Sequence, residues 1–255
     1  MKDRILIVGK GVLGAHISSA LEGTKCCVNI ASLREGRFTY KPNIFNIIID
    51  CMDPSHCKYD DIERLHEQRR KIRESIVLDT NIKIYAYISS ANVYAESSEV
   101  IDEFSALMQG SCCKPSRYVA NKLKTESFLL EKMGTSLCIL RPVCLWTADF
   151  DRTHDTFFSN LIDSRYKDYV LPKRKNDDQV ITYMHYADAA KLIVEVLIHL
   201  PDPSINIVNI TSGCWSSRVQ LKSGNENDDI TKNVTGRRVI SKIIHSQQSN
   251  LISLP

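Results

Sequence analysis

The stretch RILIVGKGVLGAHISSALE, residues 4–22, decides the fold of this chain. It begins as an apolar run typical of a buried strand and continues with the apolar spacing of a helix. Three glycines lie at the junction, where they allow a tight turn and let the backbone approach a pyrophosphate at the helix N-terminus. The alternative is an ordinary strand-to-helix turn with packing glycines. The residues predicted to bind a dinucleotide here are Gly9, Gly11, Val12, Leu13 and Gly14.

Beyond this stretch, apolar strand-like runs alternate with helical patterns, which is typical of a parallel sheet covered by helices. The fold class is therefore predicted as α/β, a Rossmann-type doubly wound parallel sheet with a small C-terminal substrate lobe. The dinucleotide-binding core is predicted at residues 1–142, with 181–212 returning to it. The lobe is predicted at 143–180 and 213–255, and the last part is alternatively a partly disordered tail. The polar segment 95–116 is predicted to be a loop.

Length and composition exclude several classes of protein. The chain has 255 residues, of which 43% are hydrophobic, so it can bury a substantial core. Its 33 basic residues barely exceed its 30 acidic ones, which argues against a nucleic-acid partner. No apolar run approaches the roughly 20 residues that span a bilayer, so no membrane partner and a cytoplasmic location are expected. The nine cysteines include no CxxC pair and are expected to be reduced, structural thiols, and no metal site is predicted.

The residues after the second strand bear on which dinucleotide is bound. In NAD-binding folds an acidic residue about 20 residues beyond the glycines holds the ribose 2′-hydroxyl. Counting from Gly14 leads instead to Arg34, and Ser32 lies close by. Both suit a 2′-phosphate, so NADP is preferred and NAD is the alternative. Glu35 keeps NAD open, and these side chains are alternatively solvated loop charges.

A tyrosine and a lysine, Tyr118 and Lys122, lie one helical turn apart in SRYVANK. A phenol has an unperturbed pKa of about 10, and a nearby ammonium favours its ionised form and thus proton transfer. Tyr169 and Lys173 repeat the spacing, but Pro172 disfavours a helix there. The run YVANKLKTESFLLEKM contains no glycine or proline and predicts a helix that places the first pair on one face.

Six motifs in one order carry a resemblance to a known family. Together they resemble the extended short-chain dehydrogenase/reductase family, in its branch of NAD(P)-dependent nucleotide-sugar epimerases, dehydratases and 4-ketoreductases. The match covers residues 4–213, most of the chain. The motifs are GKGVLG (9–14), SSANVYA (89–95), YVANK (118–122), ILRP (139–142), YMHYADAAKLI (183–193) and VNITSG (208–213).

The resemblance implies a role for several matching residues. Ser90 corresponds to the catalytic hydroxyl, Tyr118 to the acid/base, and Lys122 to the residue that binds the nicotinamide ribose and lowers the tyrosine pKa. Pro142 matches the strand end beside the nicotinamide. His185 and Asp188 are expected to support the fold.

Two features depart from the family pattern. The glycine loop is one residue shorter than in most extended members, which should preserve phosphate binding. The asparagine that many relatives carry in the helix before the serine strand has no counterpart in ERLHEQRRKIRES, residues 63–75. Any proton relay through that helix therefore lacks its usual side chain.

The positions after Ser90 narrow the reaction that the resemblance implies. Sugar 4,6-dehydratases carry an acidic pair there, whereas this chain has Ala91 and Asn92, neither of which is a general acid or base. The favoured function is NADPH-dependent reduction of a nucleoside-diphosphate 4-keto-6-deoxy sugar, in activated-sugar or surface-polysaccharide biosynthesis. An NAD-dependent epimerase and a non-catalytic dinucleotide-binding protein are the alternatives. The partner is a nucleoside-diphosphate sugar, and a homodimer is among the states that the resemblance allows.

A few basic and aromatic residues are candidates for contacts with that partner. Arginine suits phosphate oxygens and tryptophan can stack on a base or sugar, although surface charge and packing are the more common roles. The candidates are Lys173, Arg174, Arg218, Arg237, Arg238, Trp146 and Trp215.

Overall fold

The structure is a computed structural model, and it describes most of the first 146 residues and shorter segments beyond them. The described residues are 2–33, 38–53, 62–95, 100–108, 116–133, 137–146, 180–199, 207–212, 215–217 and 238–241. The helices within them are α1 (Val12–Ala20), α2 (Ile62–Val77), α3 (Arg117–Met133) and α4 (Tyr186–His199). The strands are β1 (Arg4–Val8), β2 (Cys27–Ala31), β3 (Ile47–Asp50), β4 (Ile84–Ile88), β5 (Val100–Ile101), β6 (Leu137–Pro142), β7 (Cys144–Trp146), β8 (Val180–His185), β9 (Ile207–Ile210), β10 (Trp215–Ser217) and β11 (Arg238–Val239).

The main sheet has six strands in the order β2-β1-β3-β4-β6-β9, and every neighbouring pair is parallel. The predicted α/β class with a Rossmann-type parallel sheet is therefore confirmed. Because β1 lies between β2 and β3, the chain reverses its direction of winding at β1. In such sheets ligands bind outside the carboxyl ends of the strands at this reversal.

Helices cover both faces of the sheet, and side chains alternate between the two cores. In β1, Ile5 and Ile7 pack towards α1 and α4, while Leu6 and Val8 pack towards α2 and α3. Ile7 and Val8 are fully buried, and burial of such a side chain contributes about 1.5–3 kcal/mol. Strands that are apolar on both faces are characteristic of a doubly wound sheet.

Two small sheets lie beside the main one. β7 pairs with β8 in parallel, β8 pairs with β10 antiparallel, and β5 pairs with β11 in parallel. The prediction that 95–116 is entirely loop was wrong at β5. A two-residue strand has no recognisable periodicity, and its partner β11 lies near the C-terminal end of the sequence, so no local pattern predicts the pair.

The division into a core and a substrate lobe stays a prediction, because most of 143–180 and 213–255 lies outside the described residues. Val239, in the predicted lobe, is buried in the same core cluster as Ile101. Among the described helices, none is long and apolar enough to cross a membrane. The described cysteines carry free thiols.

Candidate functional site

The glycine turn after β1 is closely packed at two of its three glycines. Gly9 has a φ of 115°, which favours glycine, and a Cβ there would lie 2.5 Å from the carbonyl oxygen of Cys51. A Cβ on Gly14 would overlap the Gly9 carbonyl oxygen. Gly9 and Gly14 are therefore required by the turn itself, whatever it binds.

Gly11 has a different environment. A Cβ on Gly11 would meet no atom within 4 Å, so packing does not require glycine there. Gly11 is the N-cap of α1, and the first turn of that helix carries no acidic residue. The N–H groups of Val12, Leu13 and Gly14 have no acceptor within the helix, so they can bind an anion. Open space beside these donors fits a dinucleotide diphosphate.

We expect Gly11→Ala to weaken dinucleotide binding by about tenfold or more without unfolding the protein, because its methyl group occupies space that only a ligand would fill. The Gly11 backbone, with φ −87° and ψ −175°, accepts alanine. Titration of NADPH fluorescence and thermal melting measure the two effects. Gly14→Ala is the contrasting variant and should lower the melting temperature. Unchanged affinity in Gly11→Ala would place the diphosphate elsewhere.

Ser32 directly follows β2 and lies next to the glycine turn, since the Gly9 N–H donates to the Ala31 carbonyl oxygen at 2.9 Å. Arg34 lies outside the described residues. The preference for NADP therefore stays a prediction.

Ser90 lies just beyond the carboxyl end of β4. It begins a 3-10 turn over Ala91–Val93, and its Oγ accepts the Asn92 N–H at 3.2 Å. Accepting this bond leaves the hydroxyl proton of Ser90 to donate. The neighbouring Ser89 instead donates its hydroxyl to buried Glu126. Of the two adjacent serines, Ser90 is therefore the one suited to a substrate.

Helix α3 presents Tyr118 and Lys122 to the same end of the sheet. Lys122 Nζ lies 5.7 Å from the centre of the Tyr118 ring, as the helical spacing predicts. The same ammonium donates to the Ile88 carbonyl oxygen at 2.6 Å, which ties it to the strand end before Ser90. Tyr118 packs against the cluster that contains Val93 of the 3-10 turn. Both residues of the pair thus lie beside the segment that carries Ser90.

Pro142 ends β6, which is the neighbour of β4 in the sheet. The carboxyl ends of β1, β3, β4 and β6 all lie at one edge because the strands are parallel. The glycine turn, Ser90 and Pro142 therefore lie along one edge. The described residues of the predicted site thus lie at the same edge of the sheet, and their individual roles stay predictions.

A buried ionic cluster that the motifs did not predict lies beneath this edge. Arg73 of α2 donates from Nε to Asp50 at 2.7 Å and from a terminal nitrogen to Asp53 at 2.9 Å. Tyr87 donates to Asp53 at 2.6 Å, and Lys122 Nζ lies 3.5 Å from the same carboxylate. Helix α2 thus reaches the site through Arg73, although it lacks the asparagine of the family pattern.

The charges of this cluster fix its ionisation states. Burial alone would raise the pKa of Asp53, but Arg73 and Lys122, together with the hydrogen bond from Tyr87, outweigh it and hold that pKa far below its ordinary value. Burial would likewise lower the pKa of Arg73, but Asp50 and Asp53 raise it instead. Burial and the Asp53 charge raise the pKa of Tyr87. Asp53 is therefore an anion and Tyr87 a neutral phenol.

One signal in the sequence could have located this cluster. Arg73 lies three residues before Ile76, on the side of α2 that packs on the sheet, and an arginine there requires a buried acidic partner. Asp50 ends β3 directly after three isoleucines, and Asp53 lies three residues further on, which is where that partner would be sought.

A second buried pair joins α3 to β6. Arg141 donates to Glu126 through Nε at 3.1 Å and through a terminal nitrogen at 2.7 Å. Its guanidinium also lies 4.9 Å from the centre of the Tyr94 ring. Glu126 is one turn beyond Lys122 and accepts from Ser89, so this pair braces the segment that carries Ser90.

His185 and Asp188, the two residues expected to support the fold, differ in their contacts and exposure. His185 Nδ1 accepts the Ala187 N–H at 3.2 Å at the start of α4, and its ring contacts Trp146 at a centre-to-centre distance of 5.0 Å. These contacts are compatible with structural roles for His185 and Trp146. Asp188 is exposed in the first turn of α4, where its charge favours the helix.

Most of the predicted substrate contacts are not described by the structure. The side chains of Arg238 and Trp215 lie outside the described part of the chain. Lys173, Arg174, Arg218 and Arg237 lie outside it altogether, as does Tyr169 of the second tyrosine–lysine spacing.

Solved structures of similar fold match this chain, but the comparisons by sequence found no match. No protein-family model and no curated protein sequence matches the chain. A dTDP-4-dehydrorhamnose reductase from Clostridium acetobutylicum is 19% identical with a TM-score of 0.67, and the match covers 96% of this chain and 92% of that one. A UDP-N-acetylglucosamine 4-epimerase from Bacillus cereus is 16% identical with a TM-score of 0.63, covering 94% and 86%. An NAD-dependent NDP-hexosamine 5,6-dehydratase is 19% identical with a TM-score of 0.69, covering 96% and 91%.

At these identities the similarity establishes the fold and leaves the reaction open. The resemblance predicted from the motifs is confirmed at this level: the chain has the architecture shared by nucleotide-sugar reductases, epimerases and dehydratases. The three matched enzymes catalyse three different reactions. The choice among those reactions must therefore come from the residues of this chain.

Proposed function

We propose that this protein is an NAD(P)H-dependent reductase that converts the 4-keto group of a nucleoside-diphosphate 4-keto-6-deoxy sugar to an alcohol. The observation that carries the proposal is the placement of Ser90, Tyr118 and Lys122 along the edge of the sheet that carries the open glycine turn. The dTDP-4-dehydrorhamnose reductase with a similar fold supports this class of substrate.

The proposed reaction assigns one task to each side chain. A bound nicotinamide supplies the hydride that reduces the keto carbon. Tyr118 donates a proton to the keto oxygen, which balances the reduction to an alcohol. Ser90 donates a hydrogen bond to the same oxygen and holds it in line, while its own oxygen stays fixed by the Asn92 N–H. Lys122 binds the nicotinamide ribose and places a positive charge close to the Tyr118 ring.

The residues beside Ser90 support reduction over elimination of water. Ala91 is buried, and Asn92 is used through its backbone to fix the Ser90 hydroxyl. Neither side chain can remove or return a proton during dehydration. The proposal therefore excludes a dehydratase, although one solved structure of similar fold is a dehydratase.

NADPH is the proposed reductant because Ser32 follows β2 beside the glycine turn and Arg34 follows closely in sequence. A net reductase consumes reduced cofactor and releases the oxidised form at each turn. An epimerase would use the same three residues but would retain its NAD between turnovers. The two functions therefore differ in whether purified protein carries bound cofactor.

A substrate screen tests the proposal directly. Purified protein would be incubated with a panel of nucleoside-diphosphate 4-keto-6-deoxy sugars and either NADPH or NADH, and loss of nicotinamide absorbance and the product sugar would be followed. The expected result is stoichiometric oxidation of NADPH with formation of the 4-hydroxy sugar. Stoichiometric NAD released on denaturation, with no net oxidation, would favour the epimerase. Absence of both would favour a non-catalytic dinucleotide-binding protein.

A further inference from the structure

We propose that Asp53 and Arg73 are positioning residues for Lys122, which link helix α2 to the cofactor end of the site through a buried carboxylate. The inference rests on the proposed function, in which Lys122 binds the nicotinamide ribose. Neither residue belongs to the motifs of the site, and both side chains are buried.

Asp53 lies close to both the glycine turn and Lys122. It follows β3 in the segment 51–53, whose backbone at Cys51 and Met52 lies against Gly9 of the glycine turn. The Asp53 carboxylate lies 3.5 Å from Nζ of Lys122 in α3. Asp53 therefore lies between the turn that would hold the diphosphate and the lysine that would hold the ribose.

The Asp53 carboxylate has three partners within the protein. Its Oδ1 accepts from Arg73 at 2.9 Å, and its Oδ2 accepts from Tyr87 at 2.6 Å and lies 3.5 Å from Lys122 Nζ. All four side chains are buried or nearly so. A carboxylate with these partners orients its neighbours and has little capacity left for a ligand.

Lys122 in turn is held from two sides. Its ammonium donates to the Ile88 carbonyl oxygen at 2.6 Å and faces Asp53 at 3.5 Å. An ammonium has three donors, and the hydrogen bond to Ile88 uses one of them, so a donor remains for the ribose or Tyr118. A lysine side chain held in one rotamer before binding loses less conformational entropy when the cofactor arrives.

Arg73 and Asp53 can position Lys122, but they cannot transfer a proton to it. Arg73 remains protonated at all relevant pH values, and Asp53 remains ionised beside two cations. Helix α2 therefore contributes a fixed charge to the site. The proton that Tyr118 donates is therefore not replaced through Asp53 and Arg73.

The cluster offers a matched control for testing this. Asp50 and Asp53 are both buried, and each pairs with Arg73, but only Asp53 contacts Lys122. Asp53→Asn and Asp50→Asn thus remove the same charge from the same arginine. A purely structural role predicts similar effects for the two, whereas positioning of Lys122 predicts a difference.

We expect Asp53→Asn to weaken NADPH binding and to lower kcat, each by about tenfold relative to Asp50→Asn, with the KM for the sugar within about twofold of wild type. NADPH fluorescence titration, steady-state kinetics and thermal melting would be measured on both variants. Equal NADPH affinity and kcat in the two variants would overturn the proposal.

If Asp53→Asn does not fold, a milder variant tests the same proposal. Tyr87→Phe removes one hydrogen bond from Asp53 and keeps the charge, so about a threefold loss of NADPH affinity is expected. Wild-type affinity in this variant would contradict the proposal. Wild-type protein that binds NADPH but reduces no keto sugar would contradict the proposed function alone, because the affinity comparison remains valid without a substrate.

Discussion

Replacement of Tyr118 by phenylalanine is expected to lower turnover by about 10²–10⁴-fold while NADPH affinity stays within about twofold of wild type. The phenol hydroxyl is the proposed proton donor, and phenylalanine removes only that group. The ring is half-buried against the cluster of Val93, Val119 and Leu123, and phenylalanine preserves this packing. Steady-state kinetics with the keto sugar found in the substrate screen, together with NADPH titration, measure the two quantities.

Tyr40→Phe is the matched control for this experiment. The Tyr40 hydroxyl donates to Asp79 at 2.7 Å, and Asp79 lies between α2 and β4, at the edge of the sheet opposite the site. This variant also loses a buried hydroxyl, but it should lower only the melting temperature and leave kcat unchanged. If Tyr118→Phe kept near wild-type kcat, another group would have to supply the proton.

The fold was predictable because its signals are local. The strands of the main sheet are mostly apolar, and the glycines after β1 predict both the turn and the helix that follows it. The pair Tyr118 and Lys122 was likewise predictable, because helix geometry fixes residues four apart on one face. Ser90 followed from its place at a strand end and from the resemblance.

The residues that hold this site in place were not predictable in the same way. Asp53 and Arg73 are 20 positions apart in sequence, and Glu126 and Arg141 are 15 apart. Their pairing depends on how α2 and α3 pack against the sheet, a tertiary fact that no single segment encodes. Lys122 and Glu126 do lie on the buried face of α3, and two charged side chains on an otherwise apolar face indicate that partners exist without identifying them.

Arg141→Met is expected to produce the largest loss of stability among the substitutions considered, about 3–5 kcal/mol. It leaves Glu126 as a buried carboxylate whose charge has lost its guanidinium partner, with Ser89 still donating to it. Domains unfold with free energies of about 5–15 kcal/mol, so the loss is a large fraction of the total. For a chain of this size the melting temperature should fall by about 10 °C. Urea unfolding and thermal melting measure the change.

Two further variants separate the unpaired charge from the lost packing. Arg70→Met removes an exposed arginine that pairs with Glu67 and Glu74 on the surface of α2, and its melting temperature should match wild type. Glu126→Met combined with Arg141→Met replaces the whole pair with apolar side chains and should recover part of the stability, because no buried charge is left unpaired. If Arg141→Met were no less stable than Arg70→Met, Glu126 would have to gain water or another donor when the guanidinium is removed. The bracing of the Ser90 segment by α3 and β6 would then depend on apolar packing rather than on this ion pair.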